Sequence, residues 1–413
     1  MLQTKKLGEL CEFVRGPFGG SLKKSCFKET GIAVYEQQHA IYNQFSDIRY
    51  FISDEKFEEM QRFELKSGDL IMSCSGTMGK VAIVPHNIKK GIINQALLKL
   101  TPSTNLNIEY LKYWMNSPDF IKRIEENTVG AAIKNVASVK ILKQIPIPIP
   151  SLQEQQQIVT LLDQAFKAID QAKANIEKNI ENAKELFQSK LNDIFSQKGE
   201  GWEEKTLGDV CCVLNGFAFK SKDVIEESNT QLLRMGNLYK NVLDLNRKPV
   251  FYPDSYVDLY KDYLLEEGDL IMSLTGTVDK TDYGYTVKIP DTDVNLLLNQ
   301  RIMKIDVYDT NALNKDYLKN YLLSPNFLKR LYETASGTRQ ANLSSRKILE
   351  LKINFPIDIE QQRRTVISFK ELRSLSSKLE TKYINKLESL EELKKSILKK
   401  AFIGELTNKT VEV

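Results

Sequence analysis

Two stretches of the chain carry apolar residues at steps of three and four in a charged background. Leu162, Phe166, Ile169, Ile176, Ile180, Ala183, Phe187 and Ile194 form the first series. Leu372, Leu375, Leu379, Tyr383, Leu387, Leu390, Ile397 and Ala401 form the second. A narrow apolar stripe of this period is the pattern of a coiled-coil seam. Each stretch opens just after a proline. Ser151-Leu152-Gln153-Glu154 predicts a capping box, in which the hydroxyl accepts from the third helical N–H and the carboxylate reaches back. Asp358-Ile359-Glu360-Gln361, after Pro356, offers the same geometry. The first helix is predicted to run to about Phe195, giving a rod of roughly 65 Å at 1.5 Å per residue. Alone, either rod would leave its stripe in water. Pairing them antiparallel sets one globule at each end and relates the halves by a pseudo-twofold axis. Parallel pairing, and a seam reserved for a partner protein's helices, stay open on pattern alone.

The globules before the rods read as mixed α/β. Gly68-Asp69 marks a turn, and Leu70-Ile71-Met72 and Val81-Ala82-Ile83-Val84 read as short strands. Residues 107–126 carry a helical period broken at Ser117-Pro118, with Trp114 on the apolar face. Ile145-Pro146-Ile147-Pro148-Ile149-Pro150 excludes a helix and favours an extended edge segment.

These patterns occur twice. Gly68-Asp69-Leu70-Ile71-Met72-Ser73-Cys74-Ser75-Gly76-Thr77 returns 200 residues on as Gly268-Asp269-Leu270-Ile271-Met272-Ser273-Leu274-Thr275-Gly276-Thr277. Leu7-Gly8-Glu9-Leu10-Cys11 returns as Leu207-Gly208-Asp209-Val210-Cys211, Gly16 as Gly216, and Asn94-Gln95 as Asn299-Gln300. Tyr110-Leu111-Lys112 with Ser117-Pro118 returns as Tyr317-Leu318-Lys319 with Ser324-Pro325, and Glu154-Gln155-Gln156 as Glu360-Gln361-Gln362. Collinear similarity of this kind is an internal duplication. It divides the chain into a globule over 1–150, a helical segment over 151–200, a second globule over 201–356 and a second helical segment over 357–413.

At 413 residues, two or three domains are expected. Hydrophobic residues at 42% and charged residues at 27% suit a soluble protein with a core and exclude disorder as the main state. No run approaches a membrane span, and Met1-Leu2-Gln3-Thr4-Lys5-Lys6 lacks a secretory core. Five cysteines without a C-x-x-C pair point to a reducing cytoplasm, and Cys11 and Cys211 read as small buried thiols. The net charge of +4 identifies no partner. Residues 1–150 carry 20 basic and 15 acidic side chains and residues 201–356 carry 20 and 22, so any nucleic-acid reading rests on local patches.

Chemistry is hard to find. No phosphate loop and no dinucleotide fingerprint occurs. The glycines of Gly16-Pro17-Phe18-Gly19-Gly20 are mostly lost in Gly216-Phe217-Ala218-Phe219. With two histidines there is little material for metal or acid–base work. Two diverged, non-catalytic globules on a stiff spacer suggest a ruler that reads two different DNA half-sites. The Leu-Gly-Glu/Asp-Leu/Val start of each repeat, the Gly-Asp-Leu-Ile-Met-Ser-x-x-Gly-Thr turn, the Pro…Glu-Gln-Gln helix entry and the closing Lys400-Ala401-Phe402-Ile403-Gly404-Glu405-Leu406 together resemble the specificity subunit of type I restriction–modification systems, over essentially the whole chain. The resemblance implies an α+β fold with two target-recognition domains separated by two long helices forming an antiparallel coiled coil. It also implies a bipartite site on double-stranded DNA, two methyltransferase (modification) subunits on the helices, and restriction (motor/nuclease) subunits completing the complex. Those partners would carry S-adenosylmethionine, ATP and Mg2+, and this chain no cofactor and no catalytic residue. A coiled-coil scaffold, or another two-headed DNA-binding protein, is the alternative.

Three places are candidates for DNA contact. Tyr35-Glu36-Gln37-Gln38-His39-Ala40 aligns with Leu233-Arg234-Met235-Gly236-Asn237-Leu238. Here Gln37, Gln38, His39, Arg234 and Asn237 could reach base edges, because Gln and Asn suit adenine and Arg suits guanine. Ser75, Thr77 and Lys80, with Thr275, Thr277 and Lys280, suit a phosphate or else simply build a turn. Gly130-Ala131-Ala132-Ile133-Lys134-Asn135 aligns with Gly337-Thr338-Arg339-Gln340-Ala341-Asn342, making Lys134, Arg339 and Gln340 candidate readers rather than a solubilising loop.

Overall fold

The computed structural model describes residues 3–127 and 138–406. The chain divides into two compact units, Met1–Glu177 with Ile384–Val413, and Lys178–Tyr383. Each unit combines one globule with part of both long helices, Leu152–Phe195 and Ile359–Phe402.

In the first unit a four-stranded antiparallel sheet runs in the order Cys11–Arg15, Leu97–Pro102, Leu70–Ser73, Val81–Ile83. A second sheet has Ile32–Tyr35 at its centre, antiparallel to Tyr50–Ile52 and parallel to Gly91–Ile93. The run Leu-Ile-Met-Ser lacks polar alternation because both faces of its strand are covered. Leu70 and Met72 join a core with the helices Ile108–Met115 and Pro118–Glu126, while Ile71 turns to the other face beside Tyr35 and Ile93. Between those helices Ser117 accepts from Phe120 N–H and Pro118 starts the next turn, so the sequence break is a real helix boundary. The proline-rich segment is the expected extended edge: Pro146–Pro148 pairs antiparallel with Thr4–Lys6.

The second unit repeats the plan. Cys211–Asn215, Ile302–Val307, Leu270–Ser273 and Thr286–Lys288 form the four-stranded sheet. Thr230–Leu233, Asn295–Leu298 and Leu264–Leu265 form the three-stranded one, and Trp202–Thr206 pairs with Lys352–Pro356. A further ribbon joins Thr275–Thr277 to Gln340–Asn342.

The long helices pack into both cores. In the first unit Ile158, Leu162, Phe166 and Ile169 meet Leu398, Ala401 and Phe402. Lys173 pairs with Glu391, and Asp170 with Lys394 at 3.3 Å, so partners fall in number as the first helix rises: the pairing is antiparallel. In the second unit Phe195 stacks on Phe369 with centroids 5.1 Å apart. The seam of the second helix departs from the expected one. Leu375 and Leu379 face solvent, and Ser376 and Glu380 are the half-buried positions. Stepping by three and four from Phe369 reaches Leu372, Ser376, Glu380 and Tyr383, so the geometric seam accepts two polar residues rather than shifting to reach the leucines. Ser151 and Glu154 make both halves of the expected capping box. Asp358 differs: its carboxylate accepts from Glu360 N–H and pairs with Arg364, and Gln361 makes no return bond among the described residues.

The recurring Gly16 and Gly216 are set by close backbone approach. A Cβ would lie 1.8 Å from the Asn94 carbonyl oxygen in the first unit and 2.1 Å from that of Asn299 in the second. Gly16→Ala is therefore expected to destabilise by about 1–3 kcal/mol through overpacking. At Gly236 nothing lies within 4 Å. Gly236→Ala should be neutral or slightly stabilising. Thermal melts of the two variants check the contrast.

Candidate nucleic-acid interface

Several repeated polar residues are structural. Asp69 and Asp269 are buried behind their turns; each accepts from a backbone N–H three residues earlier, Lys66 at 2.8 Å and Glu266 at 2.9 Å. Lys99 and Lys304 supply the countercharge. Burial works against ionised Lys304, but the Asp269 and Asp306 carboxylates hold its pKa above the ordinary value. The two Glu-Gln-Gln motifs are out of step by one residue, because the buried glutamines are Gln155 in the first copy and Gln362 in the second, an offset of 207 where the motif match gives 206. Gln155 Oε1 accepts from Asn107 N–H at 2.8 Å, and its amide donates to the Asn105 and Pro150 carbonyls. Gln362 does the same with Asn314 N–H, Ala312 and Pro356. Each stitches a long-helix start to the N-terminus of a globule helix. Cys11 and Cys211 are buried, and burial pushes both thiols up to about 12. Trp114 lies in the core. No group of three or more His, Cys, Asp or Glu side chains among the described residues is placed to hold a metal.

The first candidate place separates into core and surface. His39 is fully buried; Nδ1 accepts from Glu36 N–H at 2.9 Å and Nε2 lies 3.0 Å from the Asp47 carbonyl. Asn237, its aligned counterpart, is equally buried. Its Oδ1 accepts from Arg234 N–H at 2.8 Å and its amide donates to the Asp244 and Arg247 carbonyls. An imidazole and an amide thus do the same job, pinning a loop, and neither side chain is open to a base edge. Beside them Arg234 is exposed. Gln37 and Gln38 are half-buried on the helix Gln37–Tyr42; Gln38 reaches the Asp47 carbonyl at 3.4 Å, whereas Gln37 Oε1, itself buried, has no partner among the described residues.

At the second place Thr77 and Lys80 are exposed and Ser75 is half-buried. Gly76 has φ +64°, a true turn position, whereas Gly276 lies in a strand where a Cβ would meet Asp282 and Tyr283 at 2.5 Å. The shared Gly-Thr therefore builds different structures in the two copies. Thr277 donates through N–H and hydroxyl to Asp282, at 2.7 and 2.8 Å. Burial opposes charge on Asp282, yet these two bonds and nearby Lys280 hold its carboxyl below the usual range. Lys280 itself is exposed.

The third place is described only in the second unit, since Lys134 lies outside the described residues. Arg339 is exposed and forms no ion pair among them; Gln340 is half-buried. The ribbon sets Thr275 opposite Asn342 and Thr277 opposite Gln340. Thr275 hydroxyl also lies 3.0 Å from Met235 Sδ. All three candidate stretches of the second unit therefore meet at one corner. In the first unit the helix Gln37–Tyr42 packs on the strands Leu70–Ser73 and Val81–Ile83 that flank the 74–80 turn, joining two places. Sequence reasoning missed Tyr239 and Arg247. The Arg247 guanidinium lies 4.6 Å over the Tyr239 ring, on the loop Asn237 pins, and only the local aromatic–basic composition could have flagged it.

The family described as "Type I restriction modification DNA specificity domain" matches this chain twice, over residues 2–182 and 199–389. The MjaVIII specificity subunit of Methanocaldococcus jannaschii is 27% identical over 339 residues, 78% of this chain and 76% of that protein. The MjaIX specificity subunit of the same organism is 25% identical, covering 86% and 81%. A chain from a type I R-M system, solved in work on complex assembly and conformational transition, superposes over 98% of both chains with a TM-score of 0.72 at 17% identity. The HsdS subunit of Thermoanaerobacter tengcongensis covers 98% of this chain and 97% of its own, with a TM-score of 0.61. These two likenesses concern the fold, which is the expected one of tandem mixed globules and two long helices. With the duplicated family domain spanning nearly its whole length, the chain belongs to the type I restriction–modification DNA specificity family, as a non-catalytic specificity subunit.

Proposed function

We propose that the chain reads an asymmetric bipartite site on double-stranded DNA, one half per globule, from the corner where the diverged stretches meet. The carrying observation is that meeting in the second unit: Arg234, the Thr275–Thr277 strand, Lys280, Arg339 and Gln340 lie on segments joined by one ribbon and one loop. Arg339 suits guanine O6 and N7, and Gln340 suits adenine. Exposed Lys280 sits beside them as the phosphate contact that sets register, whereas Thr275 is buried and Thr277 donates to Asp282, so these two build the ribbon. In the first globule Gln37 and Gln38 take the reading role, with Ser75, Thr77 and Lys80 on the backbone. Lys134 keeps its place in this reading by alignment alone. His39 and Asn237 hold the loops that present the readers.

Two methyltransferase subunits dock on the long helices and restriction subunits complete the assembly in the cytoplasm. Those partners hold S-adenosylmethionine, ATP and Mg2+. A pure scaffold has no use for charged and amide side chains that differ between copies at one structural corner.

The test begins with the chain reconstituted with its methyltransferase subunits, mapping the modified adenines to obtain the target. In competition binding, Arg339→Ala should lose about 1–3 kcal/mol of preference at one base pair of one half-site and none in the other. Uniform weakening over all duplexes would assign Arg339 to a phosphate. Lys80→Ala and Lys280→Ala should each reduce the slope of log affinity against log salt by about 1; an unchanged slope would remove them from the interface.

A further inference from the structure

The second unit holds a cavity of about 320 Å3 whose charge the unit does not balance. Its apolar floor includes Phe369, and its walls carry Lys240, Lys319, Lys370 and Arg373, with Asp316 as the one carboxylate. Asp316 is already engaged by Lys288 at 2.9 Å. Lys319, Lys370 and Arg373 form no ion pair among the described residues. Lys319 is half-buried, and burial, reinforced by Arg373, holds its ammonium below the ordinary lysine value. Lys240, Lys370 and Arg373 are exposed, so the cost of holding the cations together falls mainly on half-buried Lys319, and an anion would return it.

The corresponding position in the first unit is neutralised from within. At the repeat offset of 207, Lys319 becomes Lys112, which pairs with Glu109 at 3.2 Å. Asn320 becomes Tyr113, which donates to Asp163, and Asp163 itself stands where the second copy has Lys370. A surface that served two identical partners would be alike in both copies, as the Gln155 and Gln362 stitches are. Here Lys112 and Glu109 keep the charges of Lys319 and Asp316, but Asp163 and Phe166 replace the cations Lys370 and Arg373, so the excess of positive charge belongs to the second unit alone.

We infer that this cavity is a binding site for a phosphate-bearing anion, held by Lys319, Arg373, Lys370 and Lys240. Four cations exceed what a single carboxylate neutralises, whereas a phosphate dianion or polyphosphate matches them, and the Arg373 fork suits phosphate oxygens. The phosphate comes either from the DNA backbone or from a free phosphorylated small molecule, and the chemistry of recognition is the same for both.

Calorimetric titration of the full chain with pyrophosphate, at fixed ionic strength, tests this. Saturable binding at one site per chain is expected, at least tenfold weaker in the Lys319→Gln/Arg373→Gln variant and unchanged in Lys112→Gln. Arg373 is exposed on its helix, so Arg373→Gln alone keeps the fold intact and should weaken binding about fivefold, within the range of one charge-assisted contact. If duplex DNA displaces pyrophosphate, the backbone is the source; if both bind together, a free ligand is. No saturable binding, equal binding by the variants, or tighter binding of an acidic peptide than of pyrophosphate would overturn the assignment.

Discussion

Truncating Phe195 to alanine is expected to lower the stability of the second unit by about 3–5 kcal/mol. The ring is 2% exposed at the last turn of the first long helix. It stacks on Phe369 at 5.1 Å and meets Tyr317 and Tyr321 edge-on at 5.4 and 5.3 Å. Alanine would forfeit three aromatic contacts at once and leave a cavity where both long helices meet the globule. At roughly 2–4 °C per kcal/mol for a unit of this size, its calorimetric transition should fall by about 6–20 °C. Leu186→Ala, on the same helix but exposed, should leave that transition in place. Equal effects of the two substitutions would contradict the packing account.

Gln362→Leu is expected to cost about 3 kcal/mol, because it leaves the Asn314 N–H and the Ala312 and Pro356 carbonyls without their buried partner. Leucine preserves much of the side-chain volume, so the loss reports hydrogen bonding rather than a void. Gln362→Glu should fail as well: a carboxylate still accepts from Asn314 but faces two carbonyl oxygens it cannot donate to. Gln155→Leu should reproduce the loss in the first unit, through Asn107, Asn105 and Pro150. Amide exchange at Asn107 and Asn314 gives the local readout. Exchange that stays slow in the leucine variants would contradict the stitch.

Much of the fold was legible because backbone chemistry speaks locally. Ser117-Pro118 breaks a helix in any surroundings, the Pro146–Pro148 segment can only be extended, and Ser151 with Glu154 caps wherever a helix begins there. The duplication also assigned each element twice. What stayed hidden depends on tertiary contact. His39 looks like a reader from its neighbours, and only the Asp47 carbonyl on its far side makes it a core residue. Leu375 and Leu379 look like seam positions by composition, but the partner selects geometry and takes Ser376 and Glu380. Gly76 and Gly276 look identical, yet the second lies in a strand opposite Ala341 with Asp282 and Tyr283 packed against it. The meeting of the three diverged stretches needed the ribbon between Thr275–Thr277 and Gln340–Asn342, which no local signal announces.

The most direct test of the central claim, that each globule reads its own half of one site, is sequence selection from random duplexes by the reconstituted methyltransferase complex. It would be run with the native chain and with one carrying Arg234→Ala, Arg339→Ala and Gln340→Ala together. The native complex should select two blocks of fixed sequence separated by an unspecified spacer, and the variant should lose one block while keeping the other unchanged. A single continuous block, or erosion of both blocks together, would contradict the account.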